Sequence, residues 1–374
     1  MRKLTIFLLA VSVFFVACET DFEVNASWKE VTVVYGLLDQ SQQQQYIKIN
    51  KAYLGEGDAL QMASVTDSSH YTPFNYVDST GDLQVKIYRV IQVFSTNDST
   101  TSYIELDGDW YELKDSLILK DTILEKDSSL TTPYFPTKGN IIYTTPTNQT
   151  FFNQDKTFLL VINNIKSGHV VKAKTNLIHV LNLDISPSKP MGFYGHIPPP
   201  PIPMPLEKSQ TTVNWYHAKN GKIYQIIARI FYEEKFHNAT NTIIDSIDWI
   251  QPQIIYDGST EMHYTFEGDA FVNTLANKIT NTNSNLIARR LSSIKLLFTV
   301  GSEDLQTYMS VNEPFEGIVQ ERPVFTNINN GIGLFSCRYN RSHPMFFPPA
   351  TKEGISIDLD SLYFRTDFDF LYAD

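Results

Sequence analysis

Cysteine is nearly absent from this chain of 374 residues: Cys18 and Cys337 are the only two. A disulfide-stapled small fold is thereby excluded. Positive charge is also short. Lys and Arg number 30 against 41 Asp and Glu, a formal net charge of −11. Nothing here could lay a basic stripe against phosphates, so no nucleic-acid partner is expected. No apolar run reaches the roughly 18 residues of a membrane-spanning helix. The signatures HExxH, GxSxG, the Walker loop and CxxC are missing. His70, His169, His179, His196, His217, His237, His263 and His343 are scattered, with no helical i,i+4 pair to hold zinc. No repeat of fixed period occurs. What remains is 42% hydrophobic and only 19% charged, which is the composition of a folded, globular chain. The length suits two ordinary domains or one large β domain.

The first residues set the address. Arg2 and Lys3 precede an apolar run from Leu4 to Val16, the length of a signal-peptide core. The run ends Phe15-Val16-Ala17-Cys18, which resembles the lipobox of bacterial lipoproteins, with Phe15 in place of the usual Leu, Val or Ile. The resemblance implies cleavage before Cys18 and acylation of that residue. Residues 1–17 are then a lipoprotein signal peptide and 18–27 an acidic tether. Glu19, Asp21 and Glu23 resemble the export tag of Bacteroidota-type surface lipoproteins; they also read as a plain solvated linker. Cleavage removes Arg2 and Lys3, leaving 28 Lys and Arg against 41 acids and a mature balance of −13. Attraction to anionic lipid cannot hold such a body at a membrane, so the acyl chains must.

Period-two alternation dominates the rest. Lys29–Leu38, Tyr46–Tyr53, Asp82–Val93, Thr157–Asn163 and His169–Leu183 read as strands. Ser102–Leu106 and Trp110–Leu113 flank Asp107-Gly108-Asp109 as a hairpin. Asp58 could cap a short helix over Ala59–Ala63. Ile197–Leu206 holds six prolines in ten residues and reads as polyproline II, either a stiff linker or a contact loop. Beyond it, Thr212–Tyr216 and Ile223–Glu233 read as a hairpin about Ala218–Gly221. Ile250–Tyr256, Met262–Phe266 and Ser293–Val300 read as strands. Asp269–Ile279 reads as a helix with Phe271, Leu275 and Ile279 on one stripe, and Ser302 could cap a second. Asn-Gly and Gly-x-Gly turns break the strand pieces after Pro314, and the tail from Pro344 is aromatic and proline-bearing. The expected fold is mainly β: two antiparallel, immunoglobulin-like β-sandwich domains, the second with one or two short helices. The expected boundaries are 28–185 for the first domain, 186–206 for the proline-rich segment, 207–345 for the second domain and 346–374 for a C-terminal extension.

Three stretches carry a family resemblance: Val33–Ala63 (VVYGLLDQ…LQMA), Val300–Asn312 (VGSEDLQTYMSVN) and Phe325–Arg338 (FTNINNGIGLFSCR). Together they resemble a family of uncharacterised Bacteroidota-type outer-membrane lipoproteins, defined by a domain of unknown function. The resemblance spans nearly the whole mature chain, and Asn327–Phe335 is its most specific part. It implies a mostly β fold and genes that often lie beside TonB-dependent transporters. No catalytic residue is established for the family, so none carries over.

Candidate chemistry is sparse. Cys337, between Phe335 and Tyr339, reads as a small buried hydrophobe before it reads as a nucleophile. Asp358/Asp360 and Asp367/Asp369 alternate with apolar residues, as a calcium site or an ordinary exposed strand face would. Glu233/Glu234 and Glu261/Glu267 could be posed as glycosidase pairs. No catalytic, metal or cofactor residue is assigned, and the chain is not expected to be an enzyme. Of the aromatics, 24 Phe, 20 Tyr and 4 Trp, most sit at alternating strand positions that fill a core. Phe193, Tyr194, Phe346 and Phe347 lie instead in proline-bearing, non-strand segments and are candidate partner contacts. Asp-Ser/Thr followed by an apolar residue or Thr occurs six times, against roughly one or two expected from composition. It resembles the O-glycosylation sequon of Bacteroidota-type exported proteins, which makes Ser79, Ser99, Ser116, Thr122, Ser246 and Ser361 candidate sites. The leading expectation is a lipid-anchored, non-catalytic outer-membrane accessory or ligand-binding partner of a TonB-dependent β-barrel transporter. The alternative is a surface adhesin or glycan-binding module; a secreted hydrolase comes last.

Overall fold

The computed structural model describes residues 31–52, 70–96, 100–124, 140–183, 189–196, 206–237, 241–280, 284–313 and 324–367. Cys18 with the signal peptide and tether, the Ala59–Ala63 helix, Ser99, residues 197–205 of the proline-rich segment and Asp369 lie outside them.

Alternating β-branched and aromatic residues become strands. The first nine are β1 (Val31–Leu38), β2 (Gln44–Ala52), β3 (Leu83–Val93), β4 (Tyr103–Leu106), β5 (Asp109–Ile118), β6 (Lys120–Ile123), β7 (Ile141–Pro146), β8 (Thr157–Asn164) and β9 (Val170–Asn176). Then come β10 (Tyr194–His196), β11 (Leu206–Lys208), β12 (Gln210–Tyr216), β13 (Ile223–Phe236), β14 (Ile243–Ile250), β15 (Ile254–Ile255) and β16 (Glu261–Glu267). Helix α1 (Gly268–Lys278) leads to β17 (Leu286–Gly301), and α2 (Glu303–Asn312) to β18 (Ile328–Asn329) and β19 (Gly331–Phe346). Helix α3 (Pro349–Asp358) and a 3-10 turn, Asp360–Leu362, follow. The fold is mainly β, with several antiparallel sheets. The expected Asp-Gly hairpin is present: Leu106 pairs with Asp109, and Asp107 and Gly108 take φ of 55° and 86°, as a type I′ turn requires.

One sheet runs β14-β13-β17-β19-β1-β2-β7-β6, with β15 beside β13. A second runs β18-β9-β8-β3-β5-β4. Val34, Leu38, Ile47 and Ile49 of the first share a core with Val85, Ile87, Phe158 and Leu160 of the second. Over β13 and β17 the second layer is different: the β12/β16 ribbon and α1 cover the sheet. Trp215 lies 5.6 Å from Phe298, and Phe271 stacks on Phe193 at 4.0 Å. Each such fully buried ring contributes on the order of 1.5–3 kcal/mol.

Several expectations are corrected. The boundary at 186–206 does not separate two cores. β19 pairs in parallel with β1 from Thr32↔Gly331 to Leu38↔Cys337, so both halves share one sheet and one hydrophobic cluster. The expected Asn-Gly turn is present, Asn330 with φ of 58° separating β18 from β19, but Gly331-Ile332-Gly333 opens β19 and does not break it. Gly333 has φ of 116°, and a Cβ there would meet the Val34 carbonyl oxygen at 2.0 Å, so only glycine lets β1 and β19 approach. β12 and β13 form no hairpin, because Val213 and Trp215 face the sheet and β12 pairs with β16 instead. Gln251-Pro252 splits the expected Ile250–Tyr256 strand; proline has no N–H for the ladder. Strand β19 runs through Pro344 to Phe346, and beyond Cys337 its β1 side carries no pairing that proline would break. A third helix, α3, was not expected; Pro349 at its first turn starts it without losing a hydrogen bond. Asp358 and Asp360 therefore share no strand face.

Candidate functional site

The seam between the two halves opens into a cleft of two adjoining cavities of about 380 Å³ each. The first is lined by the end of β9 (Thr175, Asn176), the turn between β12 and β13 (His217, Asn220, Gly221, Lys222), Tyr256, and the start of α2 (Ser302, Glu303, Asp304). The second is lined by Asp107, Lys174, Asp304 and the Thr326–Asn330 segment. Asp304 belongs to both. Two of the three segments that carry the resemblance, 300–312 and 325–338, thus meet at the cleft. The third supplies β1, on which β19 lies.

Local chemistry fixes each wall. Ser302 precedes α2 but its hydroxyl does not cap the helix; it meets the Ser336 hydroxyl instead, tying α2 to β19. Asn327 acts as a strand substitute: its Oδ1 accepts the Phe335 N–H at 2.9 Å and its Nδ2 donates to the Phe335 carbonyl at 2.7 Å. The same Nδ2 reaches Asp304 Oδ2 at 3.0 Å. Burial pushes the Asp304 carboxyl above its ordinary range, and the Asn327 contact opposes this in part. Asn329 Nδ2 donates to Asp107 Oδ1 at 3.3 Å, and Asn330 Nδ2 to the Val170 carbonyl at 3.0 Å.

The aromatic wall is equally held. The His217 ring stacks on Tyr256 with centroids 3.5 Å apart and planes within 9°. The Tyr224 hydroxyl accepts the Ala218 N–H at 2.9 Å and lies 2.9 Å from His217 Nδ1. Its own proton is therefore free for Nδ1. Burial, with Lys222 nearby, lowers the His217 pKa, so the ring is neutral at pH 7. Lys222 Nζ donates to the Tyr256 carbonyl at 3.2 Å. Lys174 Nζ donates to the Tyr111 hydroxyl at 2.8 Å and lies 3.7 Å from Asp109.

The residues singled out in the sequence mostly lie elsewhere. Phe193, Tyr194 and Phe347 are buried, which corrects their reading as partner contacts; Phe346 is exposed. The physical reason is α3 together with α1: the loop that looked homeless packs between them and the sheet. Tyr194 donates to Asp358 Oδ2 at 2.7 Å and so offers no surface platform to a sugar. Cys337 is fully buried and its thiol donates to the Asn176 carbonyl at 2.8 Å, which favours the hydrophobe reading over the nucleophile. Glu233 and Glu234 pair with Arg290 at 2.7 Å and Arg289 at 2.9 Å. Glu261 and Glu267 sit at opposite ends of β16, about 20 Å apart at strand rise and too far to act as a glycosidase pair. Ser79, Ser116, Ser246 and Ser361 are exposed and Thr122 is half-buried. Among the described residues, no group of three or more His, Cys, Asp or Glu could hold a metal ion. Sequence reasoning missed His217, Tyr256 and Asp304 as a group. The only signal for Asp304 was its place in a resembling segment; His217 and Tyr256 carried none. No protein-family model matches the chain, and no curated protein matches it.

Proposed function

We propose that this protein is a lipid-anchored, non-catalytic lipoprotein of the outer membrane that holds a small polar ligand for a TonB-dependent β-barrel transporter. The observation that carries the reading is the cleft: the 300–312 and 325–338 segments, which carry the resemblance to the lipoprotein family, line it with fixed polar groups. Acylation at Cys18 supplies the anchor, since multiple acyl chains give stable attachment where one does not. The transporter link rests on the resemblance. O-glycosylation at the exposed Ser79, Ser116, Ser246 and Ser361, and at Thr122 and Ser99, accords with a surface-facing body.

Cross-linking in intact membranes followed by pull-down of the full chain tests this. A β-barrel transporter is expected in the eluate, and Cys18→Ala should move the chain to the soluble fraction. Repeated recovery of the anchored chain with no barrel protein sinks the transporter role.

A further inference from the structure

The unused hydrogen-bonding capacity of the cleft leans toward acceptors. Asn220 turns its Nδ2 to the Leu177 carbonyl, Asn330 to the Val170 carbonyl and Asn329 to Asp107. Each amide thereby spends one of its two N–H groups on the protein and keeps its carbonyl oxygen; Asn176 is the exception, its Oδ1 accepting the Thr157 hydroxyl at 2.7 Å. Glu303, Asp304 and Asp107 add carboxylate oxygens, which only accept. Both lysines of the lining are already engaged, Lys222 by the Tyr256 carbonyl and Lys174 by Tyr111 and Asp109. The lining therefore favours an occupant rich in hydrogen-bond donors that brings no negative charge. Phosphates and carboxylates would meet three carboxylates, Glu303, Asp304 and Asp107, against only two lysines, so the lining is net negative. An apolar occupant is disfavoured too, because Ile328 is the only aliphatic side chain in the lining.

The shape narrows the class further. Two cavities of about 380 Å³ joined at Asp304 suit an elongated occupant built of repeated units, and each is of the size that holds small molecules. Tyr256 lines the first, held flat by its stack on neutral His217, and an aromatic wall of this kind packs against the C–H face of a ring that bears hydroxyls at its edge. We infer that the cleft binds an oligosaccharide free of acidic groups. This rests on the cleft being the ligand site proposed above, and it goes further by naming what the site takes.

The test is titration calorimetry of the full lipidated chain in detergent micelles against five probes: cellotetraose, maltotetraose, a glucosamine tetramer, a galacturonate tetramer and tetralysine. At least one neutral or amino oligosaccharide should bind saturably. Tyr256→Ala should weaken it about tenfold, or about 1.4 kcal/mol. Glu303→Gln, at an exposed side chain, should weaken it without touching the stacked rings, and melting curves of both variants establish that they fold. Binding of galacturonate or tetralysine in preference, binding indifferent to both variants, or no saccharide binding at millimolar concentration would each overturn the assignment. A chain that cross-links to a barrel yet takes no saccharide loses this inference alone. One that binds a saccharide yet recovers no barrel loses only the transporter link.

Discussion

Asp39 and Arg338 stand 299 positions apart in the chain and 3.2 Å apart in the fold. Asp39 follows β1 and is 1% exposed; Arg338 lies in β19, just past the parallel pairing. The carboxylate also accepts Asn340 Nδ2 at 2.5 Å and the Ser41 N–H at 3.0 Å. These contacts fasten the end of the parallel strand pair that, together with β18 on β9, joins the two halves. The partners differ in burial, since the Arg338 side chain is 37% exposed. Asp39→Ala removes the buried acceptor shared by the half-buried Arg338 and Asn340 side chains and the Ser41 N–H, and should cost about 2 kcal/mol. Arg338→Ala leaves Asp39 its other partners and should cost about 1 kcal/mol. Urea unfolding measures both, and equal losses would contradict the asymmetry.

Gly354 in α3 lies against the Tyr194 ring. A Cβ there would fall 2.3 Å from a ring carbon, and the ring is pinned by its hydroxyl on Asp358. Alanine normally gains up to about 1 kcal/mol over glycine inside a helix. Here overpacking should win, so that Gly354→Ala costs about 2 kcal/mol net. Adding Tyr194→Ala should make the glycine substitution neutral or favourable, a coupling that a double-mutant cycle reads directly. No coupling would mean that α3 shifts freely on the sheet.

The β character, the Asp-Gly hairpin, α1 and the start of α2 were all legible, because each is written within a dozen residues as alternation, turn chemistry or a helical stripe. The parallel pairing of β1 with β19 was not. It joins residues some 300 apart, and nothing local in VTVVYGLL or GIGLFSC names its partner. That long-range pairing is why two expected domains share one core, and why the cleft assembles from β9, a turn, Tyr256 and α2 together. The burial of Phe193 and Tyr194 escaped for a related reason. Proline in the flanking sequence argued against a strand, yet Tyr194 opens β10, and whether such a segment packs or protrudes depends on α3, which lies about 160 residues on.

Cys337 should be chemically silent in the native protein. Burial pushes its thiol up to about 12, and its Sγ donates to the Asn176 carbonyl at 2.8 Å. Thiolate is the reactive form, so at mildly alkaline pH almost none exists. Iodoacetamide should leave Cys337 unmodified in the folded chain and should alkylate it after denaturation in urea. Rapid native labelling would place the thiol near solvent and revive its reading as a nucleophile.

His343 sets a pH limit on stability. It lies in β19 opposite Leu296, is 8% exposed, and its Nε2 has no hydrogen-bond partner among the described residues. Burial first, and the Arg341 charge second, lower its pKa below the ordinary 6.5. Above pH 6.5 the ring is neutral folded or unfolded, and the fold keeps its full stability. As pH falls through that value the unfolded chain takes a proton that the native site resists, so stability is lost with acidification until the lowered native pKa is passed. One such group contributes a slope of at most about 1.4 kcal/mol per pH unit. His217 shifts the same way, from burial and then Lys222, and adds a second share over the same window. His343→Leu keeps the volume roughly and removes the proton. Its stability measured between about pH 7 and pH 5 should fall less steeply than that of the parent, by the share of one proton. A slope unchanged by the substitution would mean that His343 titrates normally and that β19 opens enough there to admit water.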